Sequence, residues 1–211
     1  MPTEHRFFAA IWDRLIAASE QAGLAEMRAE TVRLARGRTL ELGAGTGNNL
    51  AYYTPEVSEL VLTEPDPHMA KRLRKRLAES PPDVGSVEVV EATAESLPYD
   101  DASFDSIVST LVLCSVADPA RVAGELARLL RPGGRLLYLE HVRDPAEGRL
   151  ARWQDRLERP WGWVGAGCHP NRPTEPILRS AGFETKSTLE RFPKGVPIVR
   201  PLARGSASVR G

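Results

Sequence analysis

The residues best suited to chemistry fall in one short run. "TLELGAGTGNNL" (39–50) ends an apolar stretch at Gly43, Gly45 and Gly47, with an acid, Glu41, two residues before the first glycine. Glycine weakens helices and strands but lets backbone turn sharply and approach a ligand closely. An apolar strand that runs into such a loop and then into a helix is a common cofactor cradle. Glu64 follows Gly43 by 21 positions and closes the next apolar run, "ELVLTEP". There a carboxylate can accept both hydroxyl hydrogens of a ribose. His141 in "LEHV" sits where a base would meet a second substrate, and its neighbour Glu140 is placed to orient it or to serve as a second carboxylate on the acceptor side.

These residues need a scaffold, and the rest of the chain supplies one. Strands are predicted at 38–42, 59–65, 86–92, within 103–116 and at 135–142, and helices fall between them. Asp118 caps one helix, which is expected to end at Gly133-Gly134. Another helix covers roughly 147–158. "PWGWVGAGCHPNRP" reads as a bulky loop because of its Gly and Pro content. "ETKSTLERF" and "LARGSASVR" read as a closing antiparallel pair. Alternation of this kind implies a parallel sheet wrapped by helices, with ligands beyond the carboxyl ends of the strands. The expected fold is therefore a single Rossmann-like α/β domain. It has a seven-stranded, mostly parallel sheet, an antiparallel last strand and helices on both faces. Residues 1–36 form a helical cap, broken at Gly23, over a domain spanning 37–211.

Composition narrows the function. The chain has 211 residues, 42% of them hydrophobic, with 28 basic and 28 acidic side chains. Zero formal charge gives no electrostatic case for nucleic acid, and "KRLRKR" (71–76) reads as a solvated helix face. Two cysteines make no disulfide framework and fit a reducing, cytoplasmic setting. The start, "MPTEHRFFAAIWDRLIAASE", carries too many charges for a signal peptide or a membrane span. Cysteines and four histidines at scattered spacing predict no metal site.

The loop itself selects the cofactor. A dinucleotide fingerprint wants glycine where Asn48 stands, and Glu41 would repel a diphosphate. The same acid attracts an ammonium, which S-adenosylmethionine carries at its aminopropyl end. "LELGAGTG", "LTEPDPHM", "ESLPYDDASFD", "TLVLCSV" and "LRPGGRLLYLEH" together resemble class I S-adenosylmethionine-dependent methyltransferases. "TLVLCSV", "EHV", the later "GC" and the terminal segment look more specifically like the methyltransferase-like seven family of thiol S-methyltransferases and its bacterial relatives.

The resemblance implies roles for named residues. Glu41, Gly43, Ala44, Gly45, Gly47 and Asn49 hold the methionine end of S-adenosyl-L-methionine, and Glu64 grips the ribose. Pro65, Met69, Thr93, Ala94 and Glu95 surround the adenine, with Thr93 standing where many members have aspartate. Thr110 and Leu111 pass under the sulfonium. His141 becomes the candidate base, and Trp12, Cys114 and Cys168 line the acceptor pocket, with Trp153, Trp161 and Trp163 as possible roofing. The implied activity is methyl transfer to a small molecule, foremost an apolar thiol. A phospholipid amine or a quinone-type carbon is the alternative acceptor, and a non-catalytic cofactor-binding module is the alternative role. A nicotinamide dehydrogenase is disfavoured by Asn48 and Glu41. Stable membrane insertion is not expected.

Overall fold

Alternate residues of the central strands go to opposite faces of one sheet, and that split organises the molecule. The computed structural model describes residues 17, 19–165, 167–192 and 196–209; Trp12 lies outside them. In chain order the elements are α1 (Ala25–Val32), β1 (Gly37–Leu42), β2 (Val57–Thr63), α2 (Pro67–Glu79), β3 (Val87–Val90), β4 (Phe104–Thr110), α3 (Pro119–Leu129), β5 (Leu130–His141), α4 (Arg149–Val164), α5 (Thr174–Ser180), β6 (Phe183–Arg191) and β7 (Pro201–Val209). The seven strands lie in the order β3-β2-β1-β4-β5-β7-β6. Neighbours from β3 to β5 pair in parallel, and β7 runs antiparallel to both β5 and β6.

Leu40, Leu42, Val61, Ile107 and Leu136 pack on one face with Val122 and Leu126 of α3. Leu60, Leu62, Val108 and Leu137 pack on the other with Val32 of α1 and Leu73 of α2. The middles of these strands are buried on both sides, yet only β2 carries an unbroken apolar run there, Leu60–Leu62; β1 and β4 bury Thr39, Glu41, Ser106 and Ser109 beside their aliphatic residues. Each fully buried leucine contributes roughly 1.5–3 kcal/mol. The helices start where side chains cap them. Asp66 Oδ1 accepts from the His68 and Met69 amides at 2.7 and 3.1 Å ahead of Pro67, and Asp118 Oδ1 accepts from the Arg121 amide at 3.0 Å ahead of Pro119. Gly23, with φ +120°, interrupts the helical run Glu20–Leu24 just before α1.

Two of the departures from the predicted boundaries have a clear physical reason. Gly133-Gly134 does not stop α3, which ends at Leu129; the pair lies inside β5. A Cβ on Gly134 would come within 3.0 Å of the Asp105 carbonyl, so the glycine permits close strand contact. The "PWGW" segment is helix, because α4 continues through Pro160 to Val164. Pro160 and Arg156 both face solvent, so water can solvate the carbonyl that proline leaves without a partner.

Candidate functional site

β1, β2 and β4 end side by side, and their next residues enclose a cavity of about 370 Å³, within the roughly 300–1,000 Å³ of small-molecule sites. After β1 the chain turns through Gly43, Ala44 and Gly45. Gly45 has φ +59° and open space where a Cβ would stand, and its amide donates to Glu64 Oε2 at 2.8 Å. The other Glu64 oxygen accepts from the Asp66 amide at 2.9 Å. Burial raises the Glu64 pKa while these two amides pull it down. Each of its oxygens still has a lone pair for a ligand hydroxyl.

Beside it, five buried side chains are interlocked through polar atoms. Glu41 accepts from Tyr53 Oη at 2.6 Å and Asn49 Nδ2 at 2.9 Å. Arg28 Nη1 donates to Thr110 Oγ1 at 2.8 Å and Asn49 Oδ1 at 3.2 Å, and its Nε pairs with Glu20 at 2.9 Å. Burial pushes the Glu41 carboxyl up to about 7 against those two hydrogen bonds and the nearby Arg28 charge. A carboxyl and a guanidinium, linked through Asn49, thus both line the cavity, able to face an ammonium and a carboxylate.

The cavity wall contains most of the predicted cofactor residues. Glu41, Gly43, Ala44, Gly45 and Asn49 come from β1 and its loop. Glu64, Pro65 and Met69 follow β2; Thr93, Ala94 and Glu95 follow β3; Thr110 and Leu111 end β4. Gly47 is outside the wall. It serves packing: a Cβ there would stand 2.8 Å from Leu50 Cδ1 and 2.9 Å from Leu73 Cδ1. Arg28 is in the wall although no sequence signal singled it out. It is one charged residue among several on a helix, and only the docking of α1 against the strand ends buries it.

The predicted acceptor residues form a second cluster beside the cavity. Glu140 does not orient His141. It accepts from Ser109 Oγ at 2.7 Å, the Val112 amide at 3.0 Å and the Cys114 amide at 3.2 Å, and so anchors the loop after β4. Leu111 opens that loop at φ +61°, unusual for a residue with a side chain. Across from it, the His169 amide donates to the Cys114 carbonyl at 2.7 Å and the Cys168 amide to the Gly165 carbonyl at 3.0 Å. Trp161 packs on Gly165 at the base of this second loop. Gln154 on α4 fixes the surroundings: its Nε2 donates to the Val142, Pro170 and Ile198 carbonyls, and its Oε1 accepts from the Asp144 amide.

These contacts bring His141 Nδ1 to 3.6 Å from Cys114 Sγ and 3.4 Å from Cys168 Sγ, with the sulfurs 3.8 Å apart. Contact with Cys114 lowers the Cys168 thiol, and the same contact together with burial raises Cys114. The wall of the cavity does not contain these three residues, but Ser115, Val116, Ala117 and His169 in the same loops do line it. His141, predicted as a free base, therefore has one ring nitrogen against two sulfurs. Of the predicted tryptophans, Trp163 is 91% exposed and Trp153 48%, so neither roofs a pocket.

Residues 40–138 match the methyltransferase-domain family. The thiol S-methyltransferase TMT1B of Rattus norvegicus is 39% identical over 145 residues, which is 68% of this chain and 59% of that protein. The thiol S-methyltransferase TMT1A of Homo sapiens is 35% identical over 170 residues, 80% of this chain and 69% of that protein. The chain thus spans less than two thirds of the length of the rat relative. A crystal structure from Thermotoga maritima, described as a SAM-dependent methyltransferase and possible histamine N-methyltransferase, aligns over 97% of both chains with a TM-score of 0.69 at 22% identity. That likeness is one of fold. Among the described residues, no helix is long and apolar enough to cross a membrane.

Proposed function

We propose that this chain, which belongs to the class I S-adenosylmethionine-dependent methyltransferases in the family of the thiol S-methyltransferases, methylates the sulfur of a small apolar thiol. The observation that carries the cofactor half of this reading is the carboxyl of Glu41 and the guanidinium of Arg28 in the wall of one cavity, with Glu64 beyond β2. Glu41 suits the ammonium of the cofactor and Arg28 its carboxylate. Glu64 accepts from the ribose hydroxyls. Met69 and Ala94 give the adenine an apolar seat, and Thr93 offers its edge a neutral hydroxyl. When bound, the cofactor supplies a methyl group on a sulfonium that is already a good leaving group. The chain then has to align the acceptor and exclude water, and alignment alone is worth roughly 7–11 kcal/mol in favourable cases. Leu111 and Val112 put an apolar loop beside that position.

The thiol half rests on the relatives and on the soft side chains gathered next to the cavity. A screen with isotopically labelled S-adenosylmethionine tests it, offering small apolar thiols, phosphatidylethanolamine vesicles and quinol-type acceptors side by side. Methylated thiols are expected as the dominant product. Methylated lipid or quinol with inert thiols overturns the acceptor assignment, and cofactor binding with no product from any acceptor makes the chain a binding module. S-adenosylhomocysteine at about 100 times its Kd should stabilise the fold by about 2.7 kcal/mol. That corresponds to roughly 5–10 °C in Tm for a chain of this size, and NAD should give no shift.

A further inference from the structure

Cys114, His141 and Cys168 come from three separate segments, and the fold closes them into a triangle. Cys114 is 1% exposed and Cys168 6%. Both are free thiols. The sides of the triangle are 3.8 Å between sulfurs and 3.6 and 3.4 Å from sulfur to His141 Nδ1. A tetrahedral zinc ion imposes almost these lengths. With Zn–S of about 2.3 Å and Zn–N of about 2.0–2.1 Å, two sulfurs stand about 3.8 Å apart and sulfur and nitrogen about 3.6 Å apart. A disulfide would need its sulfurs at about 2.05 Å.

A hydrogen-bonded dyad explains the triangle less well. The ring nitrogen offers one hydrogen or one lone pair, and two sulfurs compete for it. An ion at the centre engages all three at once. We propose that Cys114 and Cys168, as thiolates, and His141, through Nδ1, bind a zinc ion whose fourth position takes the sulfur of the acceptor. The role of that fourth position rests on the thiol reading above; the ion site stands on the three donors alone.

The surroundings agree with this assignment. Zinc and two thiolates sum to zero charge, which suits donors this deeply buried. The Glu140 carboxylate is occupied by Ser109 and the loop amides, so it shapes the loop without joining the donors. Arg172, the nearby cation, is turned to the Val116 carbonyl at 2.8 Å. Three protein ligands and one open position are the pattern of zinc sites that handle substrates. Ser115 follows Cys114 and His169 follows Cys168, and both line the cavity, so the donor cluster lies directly beside it. An incoming thiol forms a zinc–sulfur bond as its S–H bond breaks. The proton passes to solvent, and the acceptor is held as a thiolate at neutral pH.

The test is metal analysis of the full chain produced with added zinc, followed by replacement with Co²⁺, whose thiolate charge-transfer and tetrahedral bands report the ligands. A single equivalent of zinc is expected, with strong thiolate bands for cobalt that move when an apolar thiol is added. Cys114→Ser, Cys168→Ser and His141→Ala should each lose most of the metal. S-adenosylhomocysteine binding by calorimetry shows that each variant is folded. No zinc and no cobalt–thiolate bands in the parent chain overturn the site, as does unchanged uptake in the folded serine variants. Full zinc occupancy with no thiol turnover removes the thiol reading and leaves the ion site standing. Undiminished thiol turnover by metal-free chain removes the fourth-position role and leaves the thiol reading standing.

Discussion

On one side of the site, Glu41, Asn49, Thr110 and Arg28 hold one another through short hydrogen bonds, and Glu64 is tied to two backbone amides. On the other, His141 and two cysteines touch through soft atoms, and their positions come from loop-to-loop contacts. The first side is shaped before any ligand arrives, and each oxygen has a partner. The second places three strong metal donors where hydrogen bonding can satisfy them only in part. Preformed polar walls select a ligand by shape and charge. Clustered soft donors select it by affinity for sulfur or metal.

The largest expected effect tests how far the first side depends on backbone fit. Gly47→Ala and Gly45→Ala share the strain of a side chain at positive φ, about 1–2 kcal/mol. At Gly47 the new methyl also meets Leu50 and Leu73, adding about 1–3 kcal/mol of overpacking. Thermal unfolding should show the greater loss at Gly47, at roughly 2–4 °C per kcal/mol; equal losses would mean that the leucines yield freely. Next comes Glu64→Ala. Losing an ionic acceptor for two hydroxyls should weaken S-adenosylhomocysteine binding by about 1.5–3 kcal/mol, or about 10–150-fold. Calorimetry reading the same affinity as the parent would reduce Glu64 to a loop brace.

The most gradual effect is a pH slope. Burial holds Glu41 protonated up to about 7 in the fold, against an ordinary value of 4.5. The native state therefore binds more protons than the unfolded chain across that window, and its stability from this group falls as pH rises from about 4.5 to about 7. Glu41→Gln should flatten that part of the stability profile. A cofactor ammonium beside Glu41 favours the ionised form, so affinity should rise with pH over the same window, with proton release on binding. Calorimetry in two buffers of different ionisation enthalpy checks this; affinity independent of pH separates Glu41 from the ammonium.

What the sequence disclosed follows the range of the interactions. The strands, the glycine loop and Glu64 are written in consecutive residues, and the observed sheet and cavity match them. The expected helices are missing in two places among the described residues, since only the short turn Leu50–Tyr52 separates β1 from β2 and no helix separates β3 from β4. Arg28 reaches Thr110 across 82 positions, and Cys168 reaches Cys114 across 54; local pattern contains nothing that would pair them. The spacing of cysteine and histidine carried no sign of the cluster, because Cys114, His141 and Cys168 are brought together only by the return of the chain after α4. Gly133-Gly134 and Pro160 misled for a different reason. Both look like helix punctuation, yet one glycine permits close strand contact and the proline lies where water can replace the missing hydrogen bond.

Gln154 has a consequence for how the molecule opens. A single buried amide joins α4 to the chain at 142–144, at 170 and at 198, on either side of His141 and Cys168. Segments that share one fastening come apart together, so this corner should behave as one cooperative opening unit. In hydrogen exchange, the amides of 142–144, 168, 169, 171 and 172 should share one opening free energy, below that of β1 and β4. The 168–172 loop that carries Cys168 is then the part of this corner expected to open while the sheet stays closed, giving the acceptor a way in that leaves the residues around the cofactor cavity in place.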